Sequence, residues 1–163
     1  VLDDDTDNLE TCFECDGNGC VGCDDRGYHS ELEGNELCII ANKDEIYEIV
    51  NKVCYVLNNK CNAIVNRTCG LHVHLDCRNK YKEKVFHNLV ETQNLLFKLV
   101  DSERKDNTYC RPNQTSVWDE ASEDRYNAIN GKAAFKKFET IEVRMHHATL
   151  DSKIINNWIK LLQ

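Results

Sequence analysis

From Leu71 to Asp76 apolar and polar residues alternate without a break, the period of a strand with one buried face. Leu71, Val73 and Leu75 turn toward a core, and His72, His74 and Asp76 form a row on the other side, about 7 Å apart per two residues. Residues 138–145 repeat the pattern. There Ile141, Val143 and Met145 are the apolar set, and Thr140, Glu142 and Arg144 the polar one. If both strands join one sheet and bury their aliphatic faces, His72, His74, Glu142 and Arg144 share the polar face, because a one-residue slip would reverse the whole set. A carboxylate with imidazoles can hold a hard cation such as magnesium, and an arginine can grip phosphate or carboxylate bidentately. The plain alternative is a solvated sheet face with a cross-strand ion pair.

Residues 36–40 read as a buried strand. Asn42 with Glu45 makes a capping box for a helix carrying Ile46, Ile49, Val50, Val53 and Leu57, with Asn58 and Asn59 at its end. A short strand is expected over residues 61–66. A long helix over about 81–100 would bury Val85, Phe86, Leu89, Leu96 and Leu99, with His87 on its surface. Residues 101–131 are polar, lack a clear period and contain the only proline, Pro112. Their Arg104, Tyr109, Arg111, Asn113, Trp118, Arg125, Tyr126 and Asn130 supply the charge, stacking surface and amide donors of a nucleotide lid; an ordinary surface loop is the alternative. His146 and His147 read as a strand end rather than a metal pair. Asp151 caps a closing helix that packs Ile154, Ile155, Trp158, Ile159 and Leu162 inward.

With 163 residues the chain is long enough for one ordinary domain with a real core, and no apolar run approaches the roughly 20 residues of a membrane span. No secretory signal opens it. Because it begins at Val1, removal of upstream residues is expected. A net charge of −8 with no basic stripe argues against a nucleic-acid binder, yet leaves room for a nucleotide site that needs only local cations.

Ten cysteines are too few for a small disulfide scaffold of this length, and Cys38, Cys54, Cys61, Cys69, Cys77 and Cys110 are scattered, which fits a reducing cytoplasm. The other four, Cys12, Cys15, Cys20 and Cys23, form two CxxC turns four residues apart. Gly17, Gly19 and Gly22 allow the tight backbone between them. That spacing points to a structural zinc; an iron–sulfur site, two local disulfides and an empty loop are the alternatives. The CxxCxGxG portion resembles one repeat of the cysteine-rich zinc domain of J-domain chaperones, which predicts zinc and not chaperone activity. Residues 1–30 are therefore expected to be an acidic lead-in (1–11, flexible) followed by a zinc knuckle, and residues 31–163 the main domain.

From Glu36 to the C-terminus an ordered set of pieces resembles the amidoligase family, ATP-dependent carboxylate–amine ligases related to glutamine synthetase and glutamate–cysteine ligase. The pieces are Cys69-Gly70-Leu71-His72-Val73-His74, Tyr109-Cys110-Arg111-Pro112-Asn113, Arg125 to Asn130, Thr140 to Arg144, and Ala148 to Asp151. The resemblance implies an α+β fold: a glutamine-synthetase-like antiparallel sheet whose concave face takes ATP and magnesium, with helices on the other face. It implies Glu36 and Glu142 as magnesium ligands, with His72 on metal or phosphate and His74 beside the nucleotide. Arg144 would neutralise the transferring phosphoryl group or acyl phosphate and Arg125 would contact ATP phosphates, with Asn130 and Arg111 as further nucleotide contacts.

The substrates implied are a small-molecule or peptide carboxylate and an amine, with no nucleic acid and no membrane; the pattern sets no oligomeric state. One departure stands out. The family begins with a strand carrying Glu-x-Glu, and Glu31-Leu32-Glu33 lies too close to Glu36 to be that strand. Either it lies upstream of Val1 or it is lost. A degenerate ligase fold whose zinc knuckle serves protein binding is therefore the alternative function.

Overall fold

The alternation at residues 71–76 is realised as β3 (Gly70–Asp76), and the second alternating stretch as β5 (Thr140–His147), paired antiparallel with it. The structure is a computed structural model that describes residues 9–11, 28–30, 37–66, 69–78 and 81–163. It divides into two units, Val1–Cys38 and Ile39–Gln163. In the first, β1 (Leu9–Thr11) pairs antiparallel with β2 (Tyr28–Ser30), Leu9 opposite Ser30. Leu9–Thr11 thus form a strand where a flexible lead-in was expected. The cysteine cluster and Glu36 lie outside the described residues.

The second unit is α+β. Among the described residues it holds a three-stranded antiparallel sheet in the order β3-β5-β4 and four α-helices. The helices are α1 (Ile46–Lys60), α2 (Lys82–Leu96), α3 (Lys132–Phe138) and α4 (Ser152–Leu162), and β4 is Ile129–Asn130. The main core joins Phe86, Val90, Leu96 and Phe97 from α2 and the residues just after it to Ile129, Ile141, Val143, Met145 and Trp158. Val50 and Cys54 of α1 meet Ile155 and Ile159 of α4 in a second cluster, against which Leu71 and Val73 pack. The aliphatic face of the sheet is therefore covered by helices, as its sequence pattern predicts.

Several elements differ from expectation. Residues 37–40 form no strand; Leu37 and Cys38 are exposed and Ile40 is 97% exposed, while Ile39 packs against the α1–α4 cluster. Residues 61–66 form no strand either. They wind off the end of α1, where Asn62 takes a left-handed conformation (φ 48) and Ala63 N donates to Leu57 O, leaving Ile64 88% exposed. Asn42 does turn the chain into α1, but through its carbonyl, which accepts from Glu45 N and Ile46 N. α2 stops at Leu96, which leaves Leu99 exposed; His87 is on its surface, as expected. Phe138 and Glu139 belong to the end of α3 rather than to β5, because Glu139 (φ 56) caps that helix in the left-handed region. Asp151 caps α4 as expected, its carboxylate accepting from Lys153 N at 2.8 Å and Ile154 N at 3.4 Å.

A register shift between Leu71 and Val73 positions the site. Val73 faces Val143 and Leu71 faces His146, so Arg144 and Met145 together oppose the single residue His72. Strict alternation would put His146 on the polar face beside Glu142 and Arg144. The bulge instead turns its ring against Trp158 of α4, with the ring centroids 5.0 Å apart.

Candidate active site

Glu142 is the hub of the polar face. Its Oε1 accepts from Arg144 NH1 at 2.7 Å and lies 3.1 Å from His72 Nδ1 and 3.6 Å from His74 Nε2. Its Oε2 accepts from Asn130 Nδ2 at 2.6 Å. Direct pairing of His74 with Glu142 across β3 and β5, and of Asn130 with Glu142 across β4 and β5, brings these side chains onto one face. Burial alone pushes the Glu142 carboxyl up. Hydrogen bonds from His72 and Asn130, together with the Arg144 and His72 charges, outweigh it and hold the group at about 2.

The arrangement is graded by depth. Glu142 and Arg144 are only 5% and 6% exposed, whereas His72 is partly open and His74 is exposed. A ligand arriving from solvent therefore meets the imidazoles first and the ion pair beneath them. His74 is held by Thr140 Oγ1, 2.8 Å from its Nδ1, and by the edge of Phe138. Arg144 is held by Glu142 and by the Tyr109 carbonyl, which accepts from Nε at 3.2 Å; its NH1 also lies 3.4 Å from His72 Nδ1.

The remaining residues singled out in the sequence divide by position. Both ends of the Asn130 amide are committed within the protein, since Oδ1 also accepts from Ala134 N of α3. Arg125 is exposed and lies over the Tyr126 ring at 5.1 Å, and the Arg144 guanidinium approaches the same ring at 5.9 Å. Tyr126 thus contacts both arginines and lies edge-on to Tyr109. Arg111 pairs with Asp124 at the surface, while its backbone bridges Tyr126 and Ala128. Arg104, grouped with the nucleotide lid, is instead buried against the β5 backbone. Glu36 and the four clustered cysteines lie outside the described residues. The sequence pattern missed the Tyr109 carbonyl as the partner of Arg144, because a backbone acceptor leaves no mark in residue type.

Among the described residues no group of three or more His, Cys, Asp or Glu side chains is disposed to hold a metal ion. Glu142 is the one carboxylate in the cluster described above, and most of its acceptor positions are filled from within. The arrangement has the chemistry to receive an anion: one buried guanidinium, two imidazoles, and a carboxylate that keeps them in place.

Fold and site together define an α+β protein with a charge-bearing sheet face backed by helices. A family model described as “Putative amidoligase enzyme” matches residues 38–124 and 113–163, which is most of the chain. The chain belongs to this amidoligase family, a family of ligase-type enzymes. No curated protein and no solved structure matches it. No helix among the described residues is long and apolar enough to cross a membrane.

Proposed function

We propose that the protein is an ATP- and magnesium-dependent ligase of the glutamine-synthetase type, joining a carboxylate to an amine through an acyl phosphate. The observation that carries this reading is the convergence of His72, His74 and Arg144 on Glu142, in a chain of the amidoligase family. Arg144 would draw the anionic carboxylate or transferring phosphoryl group onto the sheet through the NH2 edge that Glu142 and Tyr109 leave open. His72 and His74 would flank that anion, with Arg125 on Tyr126 guarding the outer side. This suits phosphoryl transfer, where the protein mainly positions groups and stabilises charge. The amine substrate then attacks the acyl carbon and phosphate departs.

Magnesium commonly binds through one or two carboxylates together with substrate phosphates and water. A single site carboxylate, Glu142, fits that shared mode and not a cage built by protein alone; Glu36 would be the second protein ligand. When bound, the cation would screen the phosphate charges. In the same reading Cys12, Cys15, Cys20 and Cys23 hold a structural zinc, and the dispersed thiols work in a reducing compartment such as the cytoplasm. The substrates would be a small-molecule or peptide carboxylate and an amine, without nucleic acid or membrane. Elemental analysis of the full chain should find one zinc, lost in Cys15→Ser.

A second reading, a degenerate ligase fold used for protein binding, draws on the internal saturation of Glu142. Calorimetric titration with ADP, with and without magnesium, separates the two. Magnesium-dependent binding that Glu142→Gln abolishes supports the ligase. Affinity retained by that variant would overturn the site assignment, and no binding by the wild type would favour the degenerate fold.

A further inference from the structure

Arg104 packs against β5, 4% exposed, and among the described residues it forms no ion pair. A buried guanidinium without a carboxylate is costly unless its donors are satisfied. Here they are spent on backbone: Nε donates to Met145 O at 3.1 Å and NH2 to Arg144 O at 2.9 Å. Those two carbonyls belong to the pair of bulged residues that oppose His72. A bulge interrupts the ladder and frees backbone acceptors, so a fork-shaped donor reaching both stabilises this local geometry rather than a generic strand.

The main chain of Arg104 acts on Arg144 by a second route. Its carbonyl accepts from Asn107 N at 3.3 Å and from the buried Cys110 Sγ at 2.9 Å, closing the turn between them. The Asn107 side chain accepts from Tyr109 N at 2.8 Å within that turn. The turn presents the Tyr109 carbonyl to Arg144 Nε. Two supports of Arg144, its backbone carbonyl in the bulge and the Tyr109 acceptor of its Nε, therefore run through Arg104. The residue also reaches the His72 strand: a Cβ on Gly70 would lie 3.3 Å from Arg104 NH2 and 2.9 Å from His72 Nε2.

We propose that Arg104 is a positioning residue, which clamps the β5 bulge to the turn carrying Tyr109 and so holds the Arg144 guanidinium at the polar face of the sheet. This rests on the reading of Arg144 as the anion-binding group. Arg104 itself touches no substrate. A lysine in its place keeps the charge but offers one ammonium where two carbonyls need a fork, so the clamp should fail in Arg104→Lys while the core stays filled.

The test uses the full chain labelled with nitrogen-15. The Arg144 Nε–H resonance, identified by its disappearance in Arg144→Lys, is followed by hydrogen exchange in the wild type, Arg104→Lys and Arg104→Met, beside thermal unfolding. The expected result is exchange at least about tenfold faster in a folded Arg104→Lys, the scale of one lost hydrogen bond. Affinity for magnesium–ADP should fall in parallel. A role confined to stability would lower the melting temperature and leave this resonance unchanged; that result in either folded variant overturns the proposal. Should Arg104→Met fail to fold, Arg104→Lys decides. If the wild type binds no ADP the ligase reading fails, yet the exchange comparison still decides whether Arg104 positions Arg144.

Discussion

Glu142 and Arg144 stand two residues apart on β5 and join in a nearly dry ion pair, NH1 to Oε1 at 2.7 Å. Removing either partner strands the other without its counter-charge. Glu142→Gln and Arg144→Met are each expected to cost about 3–5 kcal/mol of folding stability, the range for breaking a buried pair. The double variant should cost clearly less than the sum, because the second change removes the stranded charge. Urea denaturation of the four proteins checks this, with additive losses as the contrary outcome.

The same carboxylate gives folding a pH dependence. In the folded chain Glu142 is held at about 2 against an ordinary 4.5, so the unfolded chain binds its proton first as acid is added. The stabilisation is complete above about pH 5 and is lost as pH falls through the folded value near 2. Its full size is about 3 kcal/mol, from 1.36 kcal/mol per unit. Denaturation midpoints measured from pH 6 to pH 2 should fall steeply for the wild type and much less for Glu142→Gln.

Gly70 opens β3 beneath His72. A methyl group there would meet His72 Nε2 at 2.9 Å and Arg104 NH2 at 3.3 Å, both side-chain ends rather than backbone. Gly70→Ala should therefore fold, with the imidazole displaced from Glu142. A loss of about tenfold in magnesium–ADP affinity with little change in melting temperature is expected. Unaltered affinity would show that the position of His72 does not govern binding.

The alternation in residues 71–76 and 141–144 was enough to place His72, His74, Glu142 and Arg144 on one face, since a period of two leaves only two choices of side. It could not reveal the bulge, which depends on how the strands meet, and His146 changed sides because of it. The short helix α3 was hidden because Lys132–Phe138 runs straight into the strand pattern and ends on a non-glycine left-handed residue, Glu139. Residues 37–40 and 61–66 are apolar enough for strands, but apolar residues become a strand only beside a partner, and none pairs with them among the described residues. Arg104 was misread for a similar reason. Its composition suits a phosphate contact, whereas its partners are carbonyls.

His146 should add a second pH dependence. Burial against Trp158 lowers its pKa below 6.5, and the Arg104 and His147 charges add to this, while Nδ1 donates to His147 O at 2.7 Å. The folded chain therefore keeps the imidazole neutral where the unfolded chain already takes up a proton. By linkage, stability is full well above pH 6.5 and declines as pH falls toward the lower folded value. Replacing His146 with Gln removes the titration while keeping a donor for the His147 carbonyl. The variant should be less stable than the wild type at pH 8, because packing against Trp158 is lost, yet its stability should be nearly flat from pH 7 to pH 5. A wild-type slope that persists in His146→Gln over that interval would assign the effect to another group.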